Sequence, residues 1–170
     1  MRGKAVIRVG FGGGCHWCTE AVFQALRDVQ AVAQGFIRSD PPHDTFSEAV
    51  DVTFDPDEIA LDTLVRVHLA THASTSDHKM RGKYRSAVYV QGDDLANQAT
   101  RALEQASIET GLHFVTQVLP HREFKPSDQR FHEYYATNPD RLFCKTYINP
   151  KLAKIRQDFS KLLKENDSVG

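Results

Sequence analysis

Gly12-Gly13-Gly14-Cys15-His16-Trp17-Cys18-Thr19-Glu20 joins a short apolar run to an amphipathic one, and the reading of this junction decides the fold. Upstream, Ala5-Val6-Ile7-Arg8-Val9 predicts a short buried strand. Downstream, Val22, Phe23 and Leu26 recur at helical spacing within residues 20–27. Cys15 and Cys18 therefore belong to a strand-to-helix turn, near a helix N-terminus. Unpaired backbone N–H groups at such a terminus favour an anion, which lowers a thiol pKa and raises the thiolate fraction. A second thiol three positions on is placed to attack an oxidised or covalent form of the first. A cysteine often serves only as a small buried apolar residue, and glycines mark tight bends of any purpose. A CxxC pair set between a glycine run and a helix points beyond that reading, to nucleophilic or redox chemistry. Structural zinc needs a second ligand pair at matching spacing; Cys144 is the only other cysteine, so no metal is expected.

The remaining composition narrows the class. A chain of 170 residues with 41% hydrophobic and 25% charged side chains fits one globular domain with a real core. With 21 basic and 22 acidic residues, the formal net charge is −1, which provides no electrostatic case for nucleic acid or an anionic membrane as partner. No apolar run is long enough to span a bilayer, and Met1-Arg2-Gly3-Lys4 leads into a strand rather than a signal-type apolar segment. Three cysteines in such a chain suit a reducing compartment; the expected location is cytoplasmic.

Working outward, residues 29–37 predict a second strand, and Ala49-Val50-Asp51-Val52-Thr53-Phe54 a third by alternation. Between them, Ser39-Asp40-Pro41-Pro42-His43-Asp44 is a loop, since two prolines cannot continue a ladder. Asp55-Pro56-Asp57-Glu58 predicts a turn and helix start, followed by Ile59, Leu61, Leu64, Val65, His68 and Leu69 at helical spacing. Ser86-Ala87-Val88-Tyr89-Val90 predicts a fourth strand. The order βαββαβ is that of ferredoxin-like folds, so the expectation is an α+β domain with helices packed on an antiparallel or mixed sheet. Beyond it, residues 93–110 predict an Ala-rich helix, 113–119 a strand and 127–137 a helix. Leu152, Ile155, Phe159, Leu162 and Leu163 then mark a C-terminal amphipathic helix within residues 150–170. One domain, residues 1–170, is expected.

Several residues outside the cysteine turn are candidates for chemistry. Glu48 opens the third strand. An acid there is commonly exposed, but the first and third strands of a βαββαβ sheet are neighbours, and a carboxyl in a partly apolar cleft can stay protonated and act as a general acid. Tyr84, in Lys83-Tyr84-Arg85-Ser86, is either an edge residue or a phenol donor to a substrate oxygen. The polar loop 72–82 before it is of the kind that lines active sites. His68, His72 and His78 invite a metal reading, but no HExxH pattern accompanies them. Tyr134 and Tyr135 read as helix packing. Cys144 lies in a loop after Asn138-Pro139-Asp140-Arg141 and is either a buried spectator or an exchanging thiol.

Gly14-Cys15-His16-Trp17-Cys18-Thr19-Glu20 resembles the GCFWxxE signature of the peptide-methionine (S)-S-oxide reductases, the A-type methionine sulfoxide reductases. The similarity continues, in order, through Ser47-Glu48-Ala49-Val50, Phe54-Asp55-Pro56, Lys83-Tyr84-Arg85-Ser86-Ala87, Phe124-Lys125-Pro126 and Asn138-Pro139, so that it spans about residues 5–145. The resemblance implies a mixed α/β sandwich and a set of roles. Cys15 matches the nucleophile that attacks the sulfoxide sulfur and becomes a sulfenic acid. Glu48 matches the acid that protonates the sulfoxide oxygen, and Tyr84 a tyrosine that hydrogen-bonds it. Trp17 matches a wall of the pocket for the substrate methyl group, with His16 where the family has phenylalanine. Cys18 stands where the family often has glycine, and Cys144 where some relatives keep a resolving cysteine. Both are candidate resolvers. Phe46 lies in a loop shorter than the family's, which lacks its oxygen-binding tyrosine, and Lys79 falls on an acidic family position.

The activity so implied is thiol-dependent reduction of methionine-(S)-sulfoxide, free or in oxidised proteins, as repair under oxidative stress. A thioredoxin-type donor would regenerate the dithiol, and no metal or organic cofactor is implied. Two other readings of the same turn are a thiol-disulfide or peroxide reductase using Cys15 and Cys18, and a non-catalytic redox sensor.

Overall fold

A computed structural model describes residues 6–13, 16–72, 74, 84–128 and 144–164. Its strands are β1 (Ile7–Gly12), β2 (Val29–Arg38), β3 (Ser47–Phe54), β4 (Ala87–Val90), β5 (Gln117–Pro120) and β6 (Glu123–Pro126). Its helices are α1 (His16–Gln24), α2 (Leu61–Thr71), α3 (Asp93–Thr110) and α4 (Asn149–Asp158). The strands form one sheet in the order β5-β4-β1-β3-β2-β6. The pairs β1–β3, β1–β4, β2–β3 and β2–β6 are antiparallel, and β4–β5 is parallel. The fold is thus α+β with a mixed sheet.

The sheet is rolled, and chain length requires it. β5 and β6 occupy opposite edges, yet only His121 and Arg122 separate them. Five strand spacings in a flat sheet cover roughly 24 Å, whereas three residue steps reach about 11 Å. The link closes the roll with one backbone bond at each side: His121 N–H donates to Val90 O at 2.9 Å and Arg122 N–H to Arg38 O at 3.1 Å. Inside the roll, His121 Nε2 lies 2.8 Å from Asp51 Oδ1 on the central strand β3, both side chains nearly closed to solvent. Ile37, Ala49, Ala87 and Tyr89 fill the same side, with Leu119 and Phe124 against them. Gly10 makes this curvature possible, since a Cβ there would lie 2.4 Å from Ile37 Cδ1 and 3.1 Å from Tyr89 Cβ.

The helices cover the other face. Val9 and Phe11 of β1, Val50, Val52 and Phe54 of β3, and Val88 and Val90 of β4 pack against Val22, Phe23, Leu64, Val65 and Ala102. Phe11 stacks on Phe23 with centroids 4.6 Å apart. Ala99, Ala102 and Ala106 form the buried stripe of α3 and let it approach α2, where Arg66 joins Asp62 at 3.0 Å and Glu109 at 2.5 Å. Gly111 ends α3 in the left-handed conformation, φ 70, with its N–H on Ser107 O. At the C-terminal end, Ile148, Leu152, Ile155 and Leu163 enter the same core, and the backbone returns to α1 through Arg27 N–H to Leu162 O at 2.8 Å.

The differences from the sequence expectations have local causes. β1 continues through Gly10 and Gly12, residues of poor strand propensity that the roll needs. Asp55-Pro56-Asp57-Glu58 is a turn only, closed by Asp57 N–H on Asp55 Oδ1 at 2.8 Å; α2 begins at Leu61. β3 is buried along nearly its whole length on both faces, not on one. β6 had no expectation of its own, being four residues with a terminal proline on an edge. Of the helix expected over 127–137, Ser127 and Asp128 are non-helical, and the rest lies outside the described residues.

Candidate active site

The site is built at one end of the sheet, where β1 stops and β3 and β4 begin. Gly12 pairs with Ala49 and with Ala87. This register gathers three segments: the turn after Gly12, Glu48 just before Ala49, and Tyr84-Arg85-Ser86 just before Ala87.

The turn after β1 rests on two histidines of α2. His68 Nε2–H donates to Gly12 O at 2.9 Å. His72 stacks on His68 with centroids 4.1 Å apart and donates Nδ1–H to His68 O. A neutral His72 then accepts at Nε2 from Ser86 Oγ at 2.9 Å, and Ser86 is bonded to Thr116 at 2.7 Å. The i,i+4 histidine spacing thus serves hydrogen bonding to the turn; among the described residues no group of three or more His, Cys, Asp or Glu is placed to hold a metal ion. Gly13 has φ 142, and a Cβ there would lie 2.6 Å from His72 Cδ2. Both its torsion and its neighbour demand glycine.

Glu48 is buried, contrary to the usual exposure of an acid at a strand start. α1 covers it. His16, first residue of α1 and next in sequence to Cys15, donates its backbone N–H to Glu48 Oε1 at 3.2 Å. Its ring donates Nδ1–H to Gly35 O at 2.8 Å, which brings Nε2 to 3.5 Å from the same Oε1. Phe36, opposite Glu48 across the β2–β3 ladder, meets the His16 ring edge-on at 5.2 Å, and Trp17 lies 6.3 Å from it, half-buried. The carboxyl therefore sits at a helix N-terminus among aromatic rings.

Tyr84 is half-buried at the same end. Its position follows from Arg85, a residue with no role foreseen from the sequence. Arg85 N–H donates to Ser47 Oγ at 2.7 Å, while its guanidinium reaches Tyr89 Oη at 3.0 Å, Ile37 O at 3.2 Å and Thr45 O at 2.9 Å. Arg85, next after Tyr84, thus ties the residue before Glu48 through its backbone and β2, Tyr89 and the loop 39–46 through its guanidinium. Burial pushes the Tyr89 phenol pKa up despite the adjacent guanidinium, so it stays neutral. The same loop is held from outside by Arg122, whose hydrogen bonds to Asp40 at 2.8 and 2.9 Å keep that carboxyl below its usual range.

Cys18 is buried in the first turns of α1 and lines a cavity of about 20 Å³ with Gly13, His68, Thr71, His72 and Lys151. Cys144 opens a π-helical turn, Cys144–Ile148, that packs against α1. Glu20 is buried and accepts from Gln34 Nε2 at 3.1 Å, tying α1 to β2. Phe46 is exposed. Gly14, Cys15, His78, Lys79, Tyr134 and Tyr135 lie outside the described residues.

Known proteins resemble this chain in sequence and in fold. A family model described as peptide methionine sulfoxide reductase matches residues 8–163. The protein called peptide methionine sulfoxide reductase MsrA from Deinococcus radiodurans is 35% identical over 178 residues, covering 95% of this chain and 86% of that one. Its namesake from Acinetobacter baumannii is 32% identical over 168 residues, covering 91% and 96%. Among solved structures, Mxr1 from Saccharomyces cerevisiae in reduced form aligns with a TM-score of 0.70 at 20% identity, over 84% of this chain and 91% of that one. Mxr1 in complex with Trx2 aligns with a TM-score of 0.60 at 17% identity, over 75% and 84%. At such identities the structures speak for the fold alone.

Proposed function

The chain belongs to the peptide methionine sulfoxide reductase family, and we propose that it performs this reduction on the S epimer with Cys15 as nucleophile and Glu48 as acid. It is an oxidoreductase whose substrate class is methionine sulfoxide. The observation that carries the assignment of roles is the burial of Glu48 against the backbone N–H of His16, one residue from Cys15.

The chemistry is a two-electron transfer from sulfur to sulfur. Sulfoxide oxygen is a poor leaving group until protonated. Glu48 supplies that proton as the Cys15 thiolate attacks the sulfoxide sulfur, and the proton lost when the thiol ionised restores Glu48. The substrate S–O bond breaks as the oxygen passes to the Cys15 sulfur, so the substrate leaves as a thioether and Cys15 becomes a sulfenic acid. A second thiol then displaces water to form a disulfide, so that one sulfoxide and two thiols give one thioether, one disulfide and one water. Tyr84 donates to the sulfoxide oxygen, and Trp17 with the His16 ring bounds the methyl side. Cys18 is the resolver favoured by its place one turn along α1; Cys144 competes through a turn packed on that helix. A thioredoxin-type dithiol reduces the disulfide, a reading supported by the Mxr1–Trx2 complex.

Three structural readings belong with this proposal. The run β1-α1-β2-β3-α2-β4, with its strands in the order 4-1-3-2, is read as a ferredoxin-like core. Residues 1–170 are read as one domain because the segment 148–163 feeds the common core. A cytoplasmic site of action is proposed from composition; no helix among the described residues is long and apolar enough to cross a membrane.

The test is turnover of each epimer of a blocked methionine sulfoxide with excess dithiol. The S epimer is consumed by the native chain and not by Cys15→Ser, and Glu48→Gln lowers the rate on the order of a hundredfold. Full activity in Cys15→Ser, or in Glu48→Gln, would overturn the corresponding role.

A further inference from the structure

The geometry points to His16 as the positioning residue that orients the acid Glu48 and shares its proton. This rests on the reading of Glu48 as the proton donor. Gly35 O can only accept, so the 2.8 Å contact keeps a proton on His16 Nδ1 whatever the charge of the ring. Nε2 is then the atom that gains or loses a proton, and it lies 3.5 Å from Glu48 Oε1. Both side chains are more than nine-tenths buried. Two buried groups in contact, one a base and one an acid, share a single proton at lower cost than either bears a lone charge. In one form Glu48 is a carboxylic acid against a neutral ring; in the other it is a carboxylate against imidazolium.

Nε2 thus stands as the base that receives and returns the proton Glu48 delivers to a sulfoxide oxygen. The backbone N–H of His16 on the same Oε1 then stabilises the carboxylate once that proton is given up.

Among the described residues, most of the other titratable or charged side chains on the elements around this pair have bonds of their own. On α1, Glu20 is bonded to Gln34 and Cys18 lines the cavity beside His68, His72 and Lys151. On β2, Arg38 pairs with Glu123. On β3, Asp51 pairs with His121 on the opposite face of the sheet. Ahead of β4, Arg85 binds Tyr89 and Thr45, and Tyr84 stands next to it in the chain. Cys15 is the remaining titrating group next to His16 in sequence, so rates are divided by its thiolate fraction, measured from the pH dependence of its alkylation.

Two measurements test the inference. First, the His16 ring is titrated by NMR in the native chain and in Glu48→Gln. The pair requires its pKa to fall by about 1–3 pH units when the carboxylate is removed; an unchanged titration overturns the pair regardless of activity. Second, single-turnover reduction is followed against pH in the native chain, His16→Phe and His16→Gln. Both variants should move the alkaline limb to lower pH and lose about tenfold or more at neutral pH, with the loss shrinking toward pH 5. His16→Gln can bond but cannot titrate, so a native limb in that variant would reduce the ring to packing and overturn the inference. Sulfoxide reduction unaffected by Glu48→Gln, with the NMR shift intact, would remove the acid role while leaving the shared proton in place.

Discussion

Gly13→Ala perturbs the turn after β1 at one atom. The residue has φ 142, a region that side-chain-bearing residues rarely adopt, and the new Cβ would lie 2.6 Å from His72 Cδ2 and 2.7 Å from Nε2. The torsion costs about 1–3 kcal/mol. The ring can relieve the contact only by leaving Ser86, which forfeits a hydrogen bond worth about 0.5–1.5 kcal/mol. A combined loss near 3 kcal/mol lowers the melting temperature of a chain this size by about 6–12 °C. The rate should fall about tenfold to a hundredfold, because the turn that carries Cys15 shifts against Glu48. Thermal unfolding and single-turnover rates would be measured for Gly13→Ala, His72→Ala and the double variant. The clash predicts a coupling of about 1 kcal/mol or more between the two sites. Additive effects, or a Gly13→Ala chain with native melting and rate, would refute the account of the turn.

Other expectations follow from the same geometry. His121→Ala leaves the buried Asp51 carboxylate without its partner inside the roll and should cost about 3–5 kcal/mol in urea unfolding, with His121→Asn costing less; a loss below about 1 kcal/mol would contradict the closure described. Arg122→Gln removes the partner that depresses the Asp40 pKa. Stability from a depressed carboxyl is present above the ordinary carboxylate range and lost as pH falls through the folded value, so the native-minus-variant difference in melting temperature should be small, sensitive to salt, and gone in strong acid. A difference that grows on acidification would be inconsistent with that sign. Cys18→Ser should stop disulfide formation after one turnover while Cys144→Ser does not; thiol counts giving the reverse pattern would make Cys144 the resolver.

The sequence exposed the parts of this molecule that depend on near neighbours. The apolar run, the glycines and the periodic Val22, Phe23 and Leu26 suffice to place a strand, a turn and a helix, and Glu48 could be set beside that turn because strand order follows from βαββαβ connectivity. Features set by distant contacts were not legible. Gly10 lies beyond the strand expected over residues 5–9, yet it is a strand residue emptied of its side chain for Ile37 and Tyr89. Asp51 and His121 are 70 residues apart and carry no local sign of their pairing. Burial of Glu48 depends on how α1 is aimed, which its own four-residue context does not specify. His68 and His72 carry the spacing of metal ligands, and only their acceptors, Gly12 O and His68 O, show the work they do instead. Arg85 lies within a legible motif, but its reach to Ile37 and Thr45 depends on the roll of the sheet.

The central claim is that the Cys15 turn and Glu48 together remove oxygen from methionine sulfoxide. The most direct measurement mixes stoichiometric reduced chain with each epimer of a blocked methionine sulfoxide, without recycling reductant, and counts thioether formed and thiols lost. The account predicts one thioether per chain from the S epimer, two thiols lost, and nothing from the R epimer. Thiols that react with disulfides or peroxides while neither epimer yields thioether would contradict it.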